Sequence, residues 1–387
     1  MKTIVVLGTG VAAAAVIRQT MKSTVLPRHD IKMVVVSPST HFLWPIAMPR
    51  AIVPGQLADD KVLYALQPTF AEYPAGKFEF VLGTASALDP DVKRVQVALG
   101  GDEGATRDVA YDVLVIATGA ASRDDMPWKP LDTTESTVAK LRSVQKQIED
   151  AETIVVAGGG ITGVETVGEL GYEYSRTGRK KVYFVHADAL PLASPVMESV
   201  RKQTRAELAK LKVQIVPSTK VTKVTASGAD TVLELTAANG KTTTLKTQAY
   251  IPALGVVPNT AFVPARMLNA GGYVKQTTAL QTEDHEDIFV IGDAGSLEGN
   301  RAAMADAQAK HLIEALPLHL DGKTLPEYKP ATKDMFGITL GRGRGTGQVG
   351  SFKIFSILIW YVKGRFLGTD YADHLAAGKR TLTTKFE

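Results

Sequence analysis

Two glycine-rich segments of this chain have the spacing of a nucleotide-binding loop. The first, Gly8-Thr9-Gly10-Val11-Ala12-Ala13, follows the apolar run 4–7, and the second, Gly158-Gly159-Gly160-Ile161-Thr162-Gly163, follows the apolar run 154–157. A buried strand that turns into a helix at such a loop directs backbone N–H groups and the positive end of the helix at a diphosphate. Two such loops indicate two bound dinucleotides, and therefore electron transfer from one to the other.

The positions that define the loops have three expected roles. Gly8 and Gly158 are expected to make the tight turn. Gly10 and Gly160 let the backbone approach the phosphates. Ala13 and Gly163 allow the helix to pack closely on the strand. A glycine-rich turn without a ligand is the alternative for either loop alone. The apolar run before each loop and the helical pattern after it favour the nucleotide.

Cysteine is absent from all 387 residues of the chain. This absence excludes disulfides, thiolate metal sites, iron–sulfur clusters and a redox-active dithiol. The seven histidines show no spacing typical of metal ligands, so we expect no metal site. An electron relay in this chain therefore needs an acceptor other than a disulfide.

The order of the predicted elements indicates how the two loops are positioned. Strands alternate with helical patterns, the clearest helices being 136–148, 200–211 and 302–316. We predict an α/β fold with two Rossmann-like dinucleotide-binding domains and a small C-terminal α+β domain. The predicted first domain is discontinuous and comprises residues 1–120 and 255–320. The inserted second domain comprises residues 121–254, and the C-terminal cap comprises residues 321–387.

The C-terminal region is the most basic part of the chain. Residues 329–387 contain ten Lys or Arg and four Asp or Glu, a net charge of +6, whereas the whole chain carries +4. An anionic partner, such as a membrane surface, and a merely solvated face are equal alternatives.

The aromatic and apolar segment 352–366 also has several interpretations. We expect it to pack in the core of the C-terminal domain, with a membrane-surface helix or a dimer contact as alternatives. Its apolar part, 357–362, is far shorter than the roughly 20 residues that span a bilayer. No secretory signal precedes the first strand, so we expect a soluble, cytoplasmic protein.

Further motifs resemble those of the pyridine-nucleotide reductases, flavoproteins with FAD and NAD(P)H domains. Segments 111–119, 251–259 and 288–294 match the pattern of this family in order, and the resemblance covers about residues 1–320. It implies FAD as the cofactor and NADH or NADPH as the co-substrate. Residues 41–45 (HFLWP), Arg50 and 158–170 are most similar to the apoptosis-inducing-factor homologues, the branch that includes the ferroptosis suppressor proteins and their fungal relatives.

The resemblance and the first loop together assign residues to FAD, with Asp293 at the ribityl chain. These residues are Gly8, Gly10, Ala13, Ser37, Trp44, Arg50, Thr118, Gly119, Gly255, Gly292 and Asp293. Ser37 stands where the family usually has an acidic residue that binds a ribose, so FAD needs other anchors. Arg50 is the candidate for the FAD phosphates or a nearby carbonyl.

The second loop and His186 are assigned to the nicotinamide nucleotide, through Gly158, Gly160, Gly163 and His186. NAD-specific members of the family tend to carry an acidic residue at the position of His186. A carboxylate would repel the 2′-phosphate of NADP, whereas an imidazole would not, and Lys180 and Lys181 would add positive potential. We expect NADPH to be at least tolerated. The alternative is that His186 is an exposed loop residue without a role.

Glu165 is the candidate catalytic residue. It follows the second loop on the first helical turn, and in related reductases a glutamate at this place lies near the nicotinamide and the flavin. A carboxylate there would orient the nicotinamide or relay a proton. An equal alternative is an acidic residue favoured only by the helix N-terminus.

The function that the resemblance implies is an FAD-dependent NAD(P)H oxidoreductase. Its expected acceptor is a quinone or another small organic molecule, because no dithiol is present. The alternatives are a flavin-containing signalling or binding protein whose nucleotide state controls assembly, and a flavin oxidoreductase that modifies one metabolite. The expected partners are the small acceptor, a membrane surface at the basic C-terminal region and a second copy in a homodimer, whereas nucleic acid is not expected.

Overall fold

Strands and helices alternate through most of the chain, as the sequence patterns indicate. A computed structural model describes residues 1–101, 104–332 and 335–386. In chain order the strands are β1 (Lys2–Leu7), β2 (Ile31–Ser37), β3 (His41–Leu43), β4 (Leu63–Ala65), β5 (Phe78–Asp89), β6 (Arg94–Leu99), β7 (Thr106–Ala110), β8 (Val113–Ile116), β9 (Ala120–Ser122), β10 (Thr153–Ala157), β11 (Lys181–Val185), β12 (Gln214–Val216), β13 (Thr219–Ser227), β14 (Asp230–Ala237), β15 (Thr242–Thr247), β16 (Ala249–Pro252), β17 (Val256–Pro258), β18 (Ile288–Val290), β19 (Met335–Thr339), β20 (Gly345–Val349) and β21 (Phe352–Lys353).

The helices extend the three clearest predicted ones at one or both ends. They are α1 (Ala13–Thr20), α2 (Met48–Ala51), α3 (Gln67–Phe70), α4 (Thr134–Asp150), α5 (Ile161–Glu173), α6 (Glu198–Lys210), α7 (Ala302–Leu320), α8 (Ser356–Ile359) and α9 (Ala372–Ala376). α4 begins before the predicted residue 136 because the Thr133 side chain caps it, its hydroxyl accepting from the Ser136 N–H at 3.1 Å.

A seven-stranded sheet carries the first glycine-rich loop. Its order is β18-β8-β1-β2-β5-β6-β7, parallel from β18 to β5 and antiparallel beyond. The Ile and Val side chains of β1 are buried on both faces, as a central parallel strand covered on both sides requires. β18 comes from the segment after the inserted unit, which confirms the predicted discontinuous domain.

A second, four-stranded parallel sheet carries the second loop. Its order is β12-β11-β10-β16, and the antiparallel sheet β13-β14-β15 lies beside it. The ribbon formed by β9 and β17 lies where the chain leaves the first unit and returns to it. The exact domain limits at 120, 254 and 320 stay a prediction.

The C-terminal segment forms the antiparallel sheet β19-β20-β21 and the short helices α8 and α9. The expected core packing of segment 352–366 is wrong, because Phe352, Phe355 and Val362 are 79%, 81% and 72% exposed. Ile359 packs instead against the glycines of β19 and β20, so only one face of this short helical segment is covered. In the described part of the chain, no helix has the length and apolarity needed to cross a membrane.

Candidate functional site

A cleft of about 510 Å³ opens at the carboxyl ends of β1 and β8. This is the place where parallel α/β sheets bind ligands, and its volume is in the range of small-molecule sites, about 300–1,000 Å³. Seven residues assigned to FAD line it: Gly8, Gly10, Ser37, Thr118, Gly119, Gly292 and Asp293.

Both glycine-rich loops have the backbone that their roles require. Gly8 and Gly158 have φ of +105° and +119°, and a Cβ at either would overlap the carbonyl oxygen of the strand beside it. A Cβ on Gly163 would overlap the Gly158 oxygen, which explains the close packing of α5 on β10. Gly10 and Gly160, in contrast, face open space that a ligand can approach.

Asp293 and Lys129 form the polar centre of the cleft. Asp293 lies in a short 3-10 turn (Gly292–Ala294) between β18 and α7, and its Oδ2 accepts from Lys129 Nζ at 2.6 Å. The sequence patterns did not indicate Lys129, because its partner lies 164 residues away and its neighbours match no motif. A glycine loop at a helix N-terminus, a cation and a carboxylate in one cleft fit the diphosphate and the hydroxyl-bearing chain of FAD.

Hydroxyl groups occupy the place of the missing acidic residue at the end of β2. Ser37 Oγ lies 3.1 Å from Thr9 Oγ1 and accepts from the Ser39 N–H at 3.2 Å. Ser39 Oγ in turn lies 2.7 Å from Thr134 Oγ1 at the start of α4. This part of the cleft therefore offers hydrogen bonds but no charge.

Two residues assigned to FAD lie in the core rather than on the cleft wall. Trp44 is fully buried, and its indole N–H donates to the Leu367 carbonyl at 2.8 Å. Arg50 is buried and donates to Glu169 Oε1 at 2.8 Å and to the Gly364 carbonyl at 3.0 Å. The structure corrects the assignment of Arg50 to the phosphates, because Arg50 lies in the core and does not line the cleft.

The remaining FAD assignments lie beside the cleft. Ala13 is buried in α1, and its N–H donates to the Gly10 carbonyl at 3.0 Å, so it packs the helix against the sheet. Gly255 is exposed with φ of +103°, and its carbonyl accepts from the Arg123 N–H at 3.1 Å next to the β9–β17 ribbon. Gly255 therefore turns the chain back toward the first unit.

A row of three glutamates on α5 faces cations from other segments. Glu165, Glu169 and Glu173 are spaced four residues apart and therefore share one face of the helix. Their cationic partners are Lys363 at 2.6 Å, Arg50 at 2.8 Å and Arg342 at 3.0 Å respectively. We call these three pairs the α5 ion-pair row. It connects the inserted domain to α2 and to the C-terminal segment.

Glu165 is buried under the C-terminal sheet, with 4% of its surface exposed. Its Oε1 accepts from Lys363 Nζ at 2.6 Å and from the Thr339 N–H at 2.9 Å. Lys363 also donates to the Gly337 carbonyl at 3.0 Å. The sequence indicated Glu165 from its place after the loop but could not indicate Lys363, which lies 198 residues away.

His186 lies directly after β11, against the second loop. It is buried with 2% exposed, and neither ring nitrogen has a hydrogen-bond partner. Burial is the main cause that lowers its pKa, Asp188 opposes this effect, and the positive charges of Arg201 and Arg205 lower it further. The alternative of an exposed loop residue is therefore wrong.

The predicted contribution of Lys180 and Lys181 to this site is corrected by the strand direction. Both lie at the amino end of β11, whereas His186 follows its carboxyl end. Lys180 Nζ donates to two backbone carbonyls, those of Glu149 and Ala151. The cations near His186 come from α6 instead.

Comparison with known proteins agrees with this geometry. A family model described as pyridine nucleotide-disulphide oxidoreductase matches residues 2–309. The chain belongs to this family. It is therefore an FAD-dependent NAD(P)H oxidoreductase, and the predicted cofactor and co-substrate are confirmed. Because the chain contains no cysteine, this member of the family has no dithiol of its own.

Relatives and solved structures cover nearly the whole chain. Oxidoreductase ptaL of Pestalotiopsis fici is 35% identical over 93% of this chain and 94% of its own length. Ferroptosis suppressor protein 1 of Taeniopygia guttata is 26% identical over 94% of this chain and 93% of its own length, which confirms the predicted resemblance to that branch. The sulfide:quinone oxidoreductase of Aquifex aeolicus has the same fold, with a TM-score of 0.76, 17% identity and coverage of 98% of this chain and 92% of that one.

Proposed function

We propose that this oxidoreductase uses NADH or NADPH to reduce a quinone or a similar small organic acceptor. The observation that carries this proposal is an exposed apolar surface on the C-terminal segment, which continues directly into the pair Lys363–Glu165. The sulfide:quinone oxidoreductase with the same fold supports the acceptor class by analogy only. The absence of cysteine removes the disulfide as a competing acceptor.

The residues of the cleft hold the cofactor in this proposal. Residues 8–12 line the cleft where the chain enters α1, and Asp293 would accept hydrogen bonds from hydroxyl groups of the cofactor. FAD, when bound, takes electrons as a hydride from a nicotinamide and passes them on to an acceptor. The protein contributes binding, orientation and the exclusion of water.

Glu165 and Lys363 are the groups proposed to handle protons. The ammonium of Lys363 bonds the carboxylate and thereby fixes its orientation at the start of α5. Lys363 directly follows the exposed Val362, and Glu165 comes two residues after the second glycine-rich loop, so this pair connects the two segments. A reduced quinone needs protons as well as electrons, and we propose that this ammonium supplies one of them.

For the co-substrate, we propose that the site at least tolerates NADPH, because His186 stands where a carboxylate would repel the 2′-phosphate. His186 brings no negative charge, and Arg205 on α6 is exposed close enough to influence it. Arg201 and Arg205 outnumber the carboxylate of Asp188 near this imidazole, so we propose that a 2′-phosphate is tolerated there. Replacement of Arg205 by Glu would shift the preference toward NADH, as measured by the KM for each nucleotide.

The exposed apolar surface is proposed to lie on a membrane. We call it the tail patch and define it by its large exposed side chains: Phe352, Phe355, Ile357, Leu358, Tyr361, Val362 and Phe366. The exposed cations Arg344, Lys353 and Arg365 lie in the same segment and complement anionic lipid headgroups. A lipid-soluble quinone would reach the protein from that side.

Anaerobic reduction of the purified protein by NADH and by NADPH, followed by a screen of acceptors, tests the proposal. We expect the flavin absorbance to bleach rapidly and to return on addition of a quinone. A protein that bleaches slowly and forms a long-lived charge-transfer complex would instead favour the signalling role. A protein that bleaches rapidly but is reoxidised only by one non-quinone metabolite would favour the metabolite-specific role.

A further inference from the structure

Arg50 is a buried cation outside the Glu165–Lys363 pair. It lies on α2, which begins three residues after Pro45 on the wall of the cleft. Its guanidinium donates to Glu169 Oε1 through both Nε and Nη2, at 3.1 and 2.8 Å. The same Nη2 also donates to the Gly364 carbonyl at 3.0 Å. Arg50 therefore joins two separate parts of the chain to α2.

The two groups that Arg50 binds are neighbours of the Glu165–Lys363 pair. Glu169 lies about one helical turn after Glu165 on the same face of α5, and Gly364 directly follows Lys363. The pair itself is joined by the bond from Lys363 Nζ to Glu165 Oε1 at 2.6 Å. Arg50 therefore forms a second connection between the same two segments, next to the two ionisable groups.

The turn that carries Lys363 lies at the surface of the protein. Residues 360–364 form a single π-helical turn that contributes exposed side chains to the tail patch, whereas Gly364 at its end is buried. An ammonium on a flexible four-carbon stem is positioned only as well as the backbone from which it extends. The bond from Arg50 fixes that backbone at its buried end.

We propose that Arg50 is a positioning residue, which holds the turn of Lys363 against α5 and so keeps the ammonium beside Glu165. The proposal rests on the proposed function, in which Lys363 supplies a proton to the acceptor. A quinone that takes a hydride equivalent from the reduced cofactor needs one more proton to become a hydroquinone. The ammonium gives that proton, and water restores it. Arg50 donates no proton and acts through the Gly364 carbonyl.

The test replaces Arg50 and Glu169 together, because removal of Arg50 alone would leave a buried carboxylate without its nearest cation. The double variant R50M/E169M removes both charges and, with them, the donor to Gly364. Replacement of a buried ion pair by apolar residues of similar volume is often tolerated. Arg342→Gln is the matched control, since Arg342 Nε also lies 3.7 Å from Glu169 Oε2 but its Nη2 pairs with Glu173 rather than with the turn.

Arg50→Lys is a second variant that keeps a cation for Glu169. It replaces the planar fork of donors by a single nitrogen on a shorter side chain. We expect it to show the effects of the double variant to a smaller extent. It also keeps the proposal testable if the double variant does not fold.

Amide hydrogen exchange on the purified protein tests whether Arg50 holds the turn. The Leu367 N–H donates to the Lys363 carbonyl at 2.7 Å, so amides 360–367 report on this region. We expect them to exchange roughly fivefold faster in the double variant and within about twofold of the original protein in Arg342→Gln. The sheet β13-β14-β15 should exchange as before, which separates a local loosening from a general loss of stability.

Reoxidation of the NADPH-reduced protein by two acceptors tests whether the position of Lys363 matters for proton delivery. Duroquinone takes up protons with its electrons, whereas ferricyanide takes up electrons only. We expect the double variant to react about tenfold more slowly with duroquinone but within about twofold of the original rate with ferricyanide. In a Lys363→Gln background the double substitution should add no further slowing, because the group that it positions is gone.

Unchanged exchange of residues 360–367 would overturn the role of Arg50. Equal slowing with both acceptors would also overturn it, as would an undiminished effect in the Lys363→Gln background. The proposed function fails on a different result, namely a Lys363→Gln protein that reduces duroquinone at the original rate. The exchange experiment needs no acceptor, so its outcome does not depend on that result.

Discussion

At the scale of single residues, two buried ionisable groups, Glu165 and His186, follow the second nucleotide loop. They differ in whether they form hydrogen bonds. Glu165 accepts hydrogen bonds from Lys363 and from the backbone of β19. His186 has no partner for either nitrogen. A fully bonded carboxylate indicates a fixed orientation, whereas an unbonded buried imidazole remains neutral, because burial disfavours its charged form.

Replacement of Glu165 by Gln should slow reoxidation of the reduced flavin by a quinone by about a hundredfold, because removal of a positioned acid–base group typically has this effect. Stopped-flow absorbance under anaerobic conditions measures the rate. Glu173→Gln is the matched control, since Glu173 lies two turns further along the same face of α5 and pairs with Arg342. Equal rates for the two variants would mean that Glu165 is only a structural residue.

The neutral state of His186 predicts a loss of stability in acid. Its pKa is lowered in the folded protein, so below the unfolded value of about 6.5 the unfolded chain binds more protons than the folded one. The free energy of unfolding therefore falls as the pH drops through that value, by up to about 1.4 kcal/mol per pH unit for one histidine. Burial also lowers the pKa of His311 and His319, which add to the slope.

Urea unfolding followed by tryptophan fluorescence across this pH range measures the slope. We expect His186→Gln to reduce the pH dependence of the free energy of unfolding. His29→Gln, at an exposed histidine, is the control. An unchanged slope in the His186 variant would show that this imidazole does not stay neutral in the folded protein.

At the scale of elements, α5 is the helix on which the three parts of the protein meet. Its buried stretch runs from Gly163 to Gly171, so neighbours cover it on every side. A Cβ on Gly168 would lie 2.8 Å from the Gly341 nitrogen, because the C-terminal segment packs directly on the helix backbone. The α5 ion-pair row therefore fixes how the inserted domain, α2 and the C-terminal segment pack together.

Removal of one partner of the buried pair Arg50–Glu169 should destabilise the protein strongly. The two side chains are 9% and 1% exposed, so Arg50→Met leaves a buried carboxylate without its nearest cation. We expect a loss of about 3 kcal/mol in the free energy of unfolding. Replacement of both residues by apolar ones should cost less than the sum of the two single changes.

The exposed pair Lys202–Glu198 provides the control for this cycle. It has a similar distance of 2.8 Å, but its side chains are 66% and 68% exposed. Lys202→Met should therefore change stability by less than about 0.5 kcal/mol. Strictly additive effects of Arg50→Met and the Glu169 substitution would show that the buried pair is not coupled.

At the scale of the whole molecule, charge and apolar exposure coincide on one segment. The net +6 of residues 329–387 contrasts with the net −2 of the other 328 residues, obtained as +4 minus +6. The tail patch lies in that basic region, next to the ion-pair row that reaches the nucleotide loop. A surface that is apolar and positively charged suits the interface of an anionic membrane.

Sedimentation with phospholipid vesicles tests the membrane contact. We expect binding to vesicles of phosphatidylcholine with phosphatidylserine, and weaker binding without the anionic lipid. Val362→Ser should weaken binding by roughly five- to tenfold, because one buried aliphatic side chain is lost. Val224→Ser is the matched control, since Val224 is 50% exposed on β13, outside the tail patch. If the protein does not bind vesicles and instead dimerises through the tail patch, the partner of this surface is a second copy of the chain.

The sequence alone determined the two nucleotide-binding units, their nesting and the absence of thiol chemistry. Each glycine-rich loop is specified within a few residues, because the tight turn of Gly8 and Gly158 and the strand before it depend on local backbone geometry. The order of motifs along the chain then identified the family. The motifs also identified seven residues for FAD that the structure brings together on one cleft.

Only the tertiary structure decided which charges meet and which surface stays exposed. Arg50 pairs with Glu169, Lys129 with Asp293, and Lys363 with Glu165, across 119, 164 and 198 residues of sequence. No local pattern specifies such pairs, because they depend on how separate elements pack. The exposure of the tail patch was missed for the same reason. An apolar segment has the same sequence pattern whether a core buries it fully or a small sheet covers only one of its faces.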